Sequence, residues 1–459
     1  MYLFCYIKFH FYYAFIIFVA LSPYNKLIKQ VWKHAITVCM VLLSTGILFA
    51  QDKQDSPEVL RRQTDAKEVI SNFFSGKKKA DTTLNGKTHS TFSTLPSAGY
   101  NPSVGFSVGV TSTGGHVFGN PKTTTFSVVN ANAYISTLGL ASFEAKNNIF
   151  TNDDEYNIQG GIQVGKTVAL DYGVGTGHRV QGDGTFALND LPLDNNPDVF
   201  PIKFSYLKFS ERVYRRIFKN VYAGAGFIFN KYSNIDDERQ SSKGPTGINI
   251  NTHNYRYSRI NEYPTSGYSA SGLLFNVEYN SRDHINRTQN GMYADVVLRV
   301  NETWLGSEHR AVQLKTELRK YWALSQVNPE HMLAFWYWGT FLLNGSVPYL
   351  ELPGTGSDAA NRLGRGYTIG RFKGTSFVYS EMEYRFPITK NKLFSGVVFT
   401  NAETASNSRT INLTEFIEPG AGVGLRLLFN KYSRSNLCID YGVGNYGSKG
   451  IFLGLNEVF

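Results

Sequence analysis

From Gly99 to Phe459 the chain repeats a period of two. Met292, Ala294, Val296, Leu298 and Val300 are apolar, with Tyr293, Asp295 and Arg299 between them. Val312, Leu314, Leu318, Trp322 and Leu324 alternate with Gln313, Lys315, Glu317, Arg319 and Tyr321. Ala421, Val423, Leu425, Leu427 and Phe429 alternate with Gly422, Gly424, Arg426 and Asn430, and Leu437, Ile439, Tyr441 and Val443 with Asn436, Asp440 and Gly444. Each run lasts about ten residues, the length of a tilted strand crossing a bilayer. A soluble two-sided sheet also alternates. The contents of the faces decide between them: Lys315, Glu317 and Arg319 on one strand are costly in a packed sandwich core and comfortable in a wet lumen, while the opposite Leu, Val and Trp row suits lipid. Tyr232, Tyr263, Tyr268, Phe386 and Tyr432 at strand ends read as an interfacial aromatic girdle. About 360 residues at roughly 23 per strand and loop give sixteen strands, and counts of about 14 or 18 also fit. The predicted fold is all-β, a transmembrane antiparallel barrel.

Composition supports this reading. Phe, Tyr and Trp make up 14% of 459 residues and Gly contributes 43, while charged residues are 18%, below the roughly 25% usual in soluble domains. Disorder, a collagen repeat and a disulfide scaffold are excluded. A mean hydropathy of −0.23 argues against a bundle of membrane helices.

Residues 1–50 contain Lys8, Lys26, Lys29 and Lys33 and no acid. Lys26, Lys29 and Lys33 precede the apolar run Ala35–Ala50, which is too short to span a bilayer. This pattern predicts a signal peptide region with cleavage after Ala50, and residues 1–25 read as an upstream mis-start. A membrane anchor is the competing reading. Removing the four lysines lowers the net charge from +10 to +6, and Cys438 then stands alone. The modest excess is scattered and predicts no nucleic-acid partner. Residues 51–97 read as a periplasmic tether with a short helix beginning at Ser56-Pro57-Glu58, and residues 98–459 as the barrel.

Four stretches carry a family resemblance. Tyr279-Asn280-Ser281-Arg282-Asp283, followed by Asn290-Gly291-Met292-Tyr293, forms a strand–turn–strand pattern with an Arg-Asp pair. Gly364-Arg365-Gly366-Tyr367 precedes Glu381-Met382-Glu383-Tyr384-Arg385-Phe386-Pro387, and Gly450–Phe459 ends in an aromatic. Together they resemble the BamA/TamA-type outer-membrane assembly family, the bacterial surface antigen family. Weaker similarity begins at Tyr100-Asn101-Pro102 and Gly105, where a first strand would start. The resemblance implies that the loop bearing Arg365, Gly366 and Tyr367 folds back into the barrel and locks there. Arg365 would meet Glu383 on the inner wall, and a second family acid falls at Asn401. One charge partner rather than two is therefore expected. Gly364 stands where the family usually has Val. Phe459 would be the insertion signal, and Arg282 with Asp283 a strand-end pair. Residues 51–95 are too short for a POTRA domain, so the resemblance implies a short member lacking them.

Enzyme chemistry finds little support. His89, His116, His178, His253, His284, His309 and His331 are dispersed, without metal-ligand spacing. Gly267–Gly272 misses the nucleophile-elbow spacing by one residue. Gly354–Gly366 lacks the Lys-Ser/Thr ending of a phosphate loop. Asp153-Asp154-Glu155 and Asp236-Asp237-Glu238 read as solvated loop tips. No catalytic, cofactor or metal residue is assigned. The leading expectation is a barrel that helps insert or move protein or lipid components through a weak seam between strands near 103–112 and 450–459, where Gly454 offers no side chain. A passive channel or receptor, with a stably closed seam, is the alternative, and an outer-membrane hydrolase the third reading. Expected partners are outer-membrane lipids, other outer-membrane proteins or a separate periplasmic protein.

Overall fold

The computed structural model describes residues 62–66, 68–69, 90–101, 105–120, 123–137, 139–177, 200–237, 252–284, 287–325, 328–358, 361–407, 411–431 and 434–459. Sixteen strands follow in chain order: β1 Ser90–Asn101, β2 Gly105–His116, β3 Ser127–Ser136, β4 Ala141–Phe150, β5 Tyr156–Asp171, β6 Phe200–Phe218, β7 Val221–Asp237 and β8 Gly267–Asn280. Then come β9 Gly291–Asn301, β10 Ala311–Ala323, β11 Met332–Gly345, β12 Ser376–Pro387, β13 Phe394–Ser406, β14 Glu418–Asn430, β15 Ser435–Gly444 and β16 Lys449–Leu455. Helix α1, His253–Ile260, lies between β7 and β8. All strands belong to one sheet, each antiparallel to its chain neighbour, with β1 and β16 at the two ends of the order.

The sheet is inside out relative to a soluble sandwich. On β14 and β15 the outward Val423 and Ile439 are 56% and 45% exposed, while the inward Arg426 and Asp440 are each 2% exposed. Apolar side chains outside and ionised ones inside belong to a lipid-facing barrel with a polar lumen. The lumen is bridged by its own loops. Thr176, after β5, donates its N–H to the Ala405 carbonyl on β13 (3.2 Å), and the Gly177 N–H reaches the Glu418 carboxylate on β14 (2.9 Å).

Three expectations change. The first strand, β1, begins within the stretch read as tether and runs past its end at residue 97, and the strand expected near 103–112 is β2. β1 is rich in Ser and Thr and carries Pro96, so it lacks apolar alternation, and an end strand tolerates a proline that a central one does not. The girdle assignment also fails for Tyr232, Tyr263 and Tyr268. They are buried with Val174, Ile202 and Phe204, beneath Tyr257 of α1 and Tyr349 of the β11–β12 loop. Tyr257 and Tyr263 donate their hydroxyls to the Val347 and Ser346 carbonyls (2.8 Å each), so loops cap this end of the lumen. Asp237 is likewise no solvated tip: it is buried and accepts the Thr252 hydroxyl. Asp154 accepts the Thr125 N–H (2.7 Å) and ties two turns together. The signal region, Tyr432, Glu238 and the helix expected from Ser56 lie outside the described residues. Nearby, the Thr64 N–H donates to the Asn391 carbonyl and the Asp65 carboxylate accepts the Lys431 N–H (3.0 Å each).

Candidate functional site: the loop clamp inside the barrel

Alternation on β12 turns Tyr379, Glu381, Glu383 and Arg385 to one side, and all four are buried. Asn401 stands opposite Glu381 on β13. On β14 and β15, Arg426 and Asp440 face the same lumen. The β11–β12 loop descends into this wall.

Arg365 is 1% exposed and touches three carboxylates. Its Nε donates to Glu381 Oε2 (3.2 Å), its Nη1 to Asp440 Oδ2 (2.7 Å), and its Nη2 to Glu381 and Glu383. The guanidinium lies 3.7 Å from the Phe399 ring centroid. Burial alone would lower the Arg365 pKa, but Glu381, Glu383 and Asp440 outweigh it and hold it well above the usual arginine range. A planar fork with five donors is the side chain that can engage several carboxylates in fixed geometry. Asn401 does not contribute charge. Its Nδ2 donates to the main-chain oxygen of Arg365 (2.9 Å) and so fixes the loop backbone.

The neighbouring glycines explain the motif. Gly366 has φ +111°, and a Cβ there would lie 2.7 Å from the Val443 carbonyl oxygen. Gly364 has φ +84° and would crowd Glu403, so glycine suits this chain where the family usually carries Val. Tyr367 donates its hydroxyl to the Pro419 carbonyl and accepts the Asn445 N–H (2.9 Å), pinning the loop to β14 and the β15–β16 turn.

The expectation of a single charge partner is corrected: Glu381 and Asp440 join Glu383. The signal was present in the alternation, which gives Glu381 and Glu383 the same inward parity and makes Asp440 the charged member of its strand. Arg385, Arg426 and Glu457 extend the cluster. Arg385 Nε donates to Glu383 (2.6 Å), and Arg426 bridges Asp440 and Glu457, the latter at 2.9 Å.

Phe459 lies beyond β16, which ends at Leu455. Instead of finishing a strand, its ring turns inward and stacks on Trp336 with centroids 5.2 Å apart, beside Tyr321, and its main-chain oxygen accepts from Arg385 Nη2 (3.1 Å). Arg362 of the loop donates to the Glu457 carbonyl. The Glu457 carboxylate meets Arg426 and Asn436. Arg282 and Asp283 take separate partners after β8. Arg282 packs over the Tyr293 ring (4.6 Å) and donates to Asn280 (3.1 Å), while Asp283 accepts the Gln289 N–H (2.9 Å).

The chain matches the Omp85 superfamily domain over residues 206–447, more than half its length. Among solved structures it is similar to BamA from Haemophilus ducreyi lacking POTRA domains 1–3, at 14% identity, covering 89% of this chain and 82% of that one with a TM-score of 0.48. It is also similar to CdiB from Acinetobacter baumannii, at 11% identity over 80% and 59% of the two chains with a TM-score of 0.46. A third is Wzi, an Escherichia coli carbohydrate-binding β-barrel involved in group 1 capsule assembly, at 9% identity over 81% and 83% with a TM-score of 0.29. No curated protein matches in sequence. With sixteen antiparallel strands and the domain match, the chain belongs to the Omp85 superfamily, as a β-barrel of the Gram-negative outer membrane.

Proposed function

We propose that this barrel helps insert or translocate protein or lipid components at the outer membrane by opening between β1 and β16. The observation that carries this reading is the inequality of the two end strands. β16 has seven residues and β1 twelve, and the segment after β16 is drawn into the lumen instead of extending the edge. A short strand can offer few ladder bonds, and Gly454 adds no side-chain packing between strands. An opened edge exposes main-chain donors and acceptors that template an incoming strand by β-augmentation. The Arg365–Gly366–Tyr367 clamp braces the β12–β15 wall while the other side moves.

The test is depletion of the protein followed by quantitative outer-membrane proteomics. A broad loss of other barrels, with a periplasmic stress response, is the expected outcome for protein assembly. An unchanged barrel inventory with altered lipid asymmetry would redirect the role to lipid handling. An unchanged membrane together with steady conductance of the purified protein in planar bilayers would replace the proposal with a passive channel.

A further inference from the structure

The outward face of the sheet carries a polar pair within its lipid-facing rows. Asn147 on β4, Gly160 on β5 and Glu211 on β6 occupy one register row. Glu211 shares its parity with the exposed Leu207, Phe209 and Val213, whereas its neighbour Arg212 turns inward to Asp295 (3.4 Å). Asn147 shares its parity with the exposed Phe143. Asn147 Nδ2 donates to Glu211 Oε1 at 2.9 Å, across the intervening strand. They meet because residue 160 is glycine: a Cβ there would lie 2.6 Å from Glu211 Oε2. Among the described residues no cation lies within ion-pair distance of Glu211. Around the pair, the outward positions of β3 and β4 include the small residues Ala131, Ala133 and Ala145.

Acyl chains cannot satisfy a carboxylate or an amide, and polar side chains at membrane depth are costly unless they meet a partner. The pair still has unused capacity: a second N–H and a carbonyl on Asn147, and Glu211 Oε2. It therefore holds donors and acceptors together, which makes it complementary to itself.

We propose that this face is a self-association surface whose occupant is a second copy of the chain. A twofold axis along the membrane normal, passing over Gly160, lays the Asn147 amide of each copy against the Glu211 carboxylate of the other. A closed twofold contact requires such a self-complementary patch. The alanines and Gly160 let the two walls approach closely, as small residues do in membrane interfaces. The approach of two carboxylates opposes the contact, and the reciprocal amide hydrogen bonds offset it. β1 and β16 stay outside the interface, so the inference stands apart from the proposed function.

The test is oxidative cross-linking of Ala145→Cys in native outer membranes, with Val423→Cys on the opposite part of the wall as control; Cys438 is buried. Ala145→Cys should give a covalent dimer and Val423→Cys should not. Adding Asn147→Leu with Glu211→Leu should reduce the dimer about tenfold. Both leucines suit lipid, and heat-modifiable gel mobility reports that the barrel has folded. Glu211→Gln should keep the dimer, because paired amides remain self-complementary without charge, and Asn147→Asp should abolish it by repulsion. Absence of the Ala145→Cys dimer, equal cross-linking at Val423→Cys, or an undiminished dimer in the double leucine variant would overturn the proposal.

Discussion

Strands β12–β15 and strands β2–β4 belong to one sheet but carry different loads. The first group turns Glu381, Glu383, Arg385, Arg426 and Asp440 into the lumen and receives Arg365 from the loop and Glu457 from the tail. The second meets the lumen with Thr111, Thr113, Asn130 and Asn132, joined by single hydrogen bonds such as Thr113 to Asn130 (2.8 Å), and with the half-exposed pair Lys146–Glu144. A wall tied by buried, multiply shared ions moves as one piece. A wall held mainly by its ladder can bend at the cost of a few neutral contacts. If the barrel opens as proposed, the difference would make the C-terminal strands the fixed side and the N-terminal ones the moving side.

The sharpest way to break the comparison is to remove one cation from each wall. Arg365→Ala leaves Glu381, Glu383 and Asp440 without their shared donor and should cost about 3–5 kcal/mol in reversible denaturation. Lys146→Ala, whose side chain is 32% exposed, should cost no more than about 1 kcal/mol. Equal effects would erase the distinction. Glu383→Ala combined with Arg365→Ala should fall short of additivity by about 0.5–3 kcal/mol, since each removes the other's contact. Additive losses would mean that the two do not act as a unit.

Phe459→Ala empties a ring site against Trp336 and should cost about 3 kcal/mol, with protease sensitivity rising within residues 449–459. Unchanged cleavage would show that the tail is not held by its ring.

Acid should act on the same tail. Burial pushes the Glu457 carboxyl up, but Arg426, Arg385 and Arg287 outweigh it and hold it well below the usual carboxylate range. A depressed folded pKa adds stability that is complete above the unfolded value, about 4.3, and is lost as pH falls towards the folded one. Tail protection should therefore weaken on acidification below about pH 4, and less so in Glu457→Gln. The smallest expected effect is Thr113→Val, within about 1 kcal/mol, because its hydrogen bond is exposed.

Much of this was legible in the chain. Period-two alternation placed Glu317 and Arg319 inside and Leu425 and Ile439 outside, and the family resemblance carried by the Arg-Gly-Tyr motif paired Arg365 with Glu383. What alternation could not give was contact between distant strands. Asp440 reaches Arg365 only because the sheet curls, and Tyr232, Tyr263 and Tyr268 sit in the lumen because α1 and the β11–β12 loop fold over them. β1 escaped notice because Pro96 and its hydroxyl residues carry no apolar stripe. Phe459 looked like the end of a strand because a sequence does not record where a backbone leaves the sheet.

Hydrogen–deuterium exchange of the barrel in lipid nanodiscs tests the asymmetry most directly. Amides of β1–β3 should exchange faster than those of β13–β15, and Arg365→Ala should narrow the gap by loosening the C-terminal wall. Equal protection across the sheet, or faster exchange in β13–β15 of the wild type, would contradict a fixed C-terminal wall with a mobile N-terminal side.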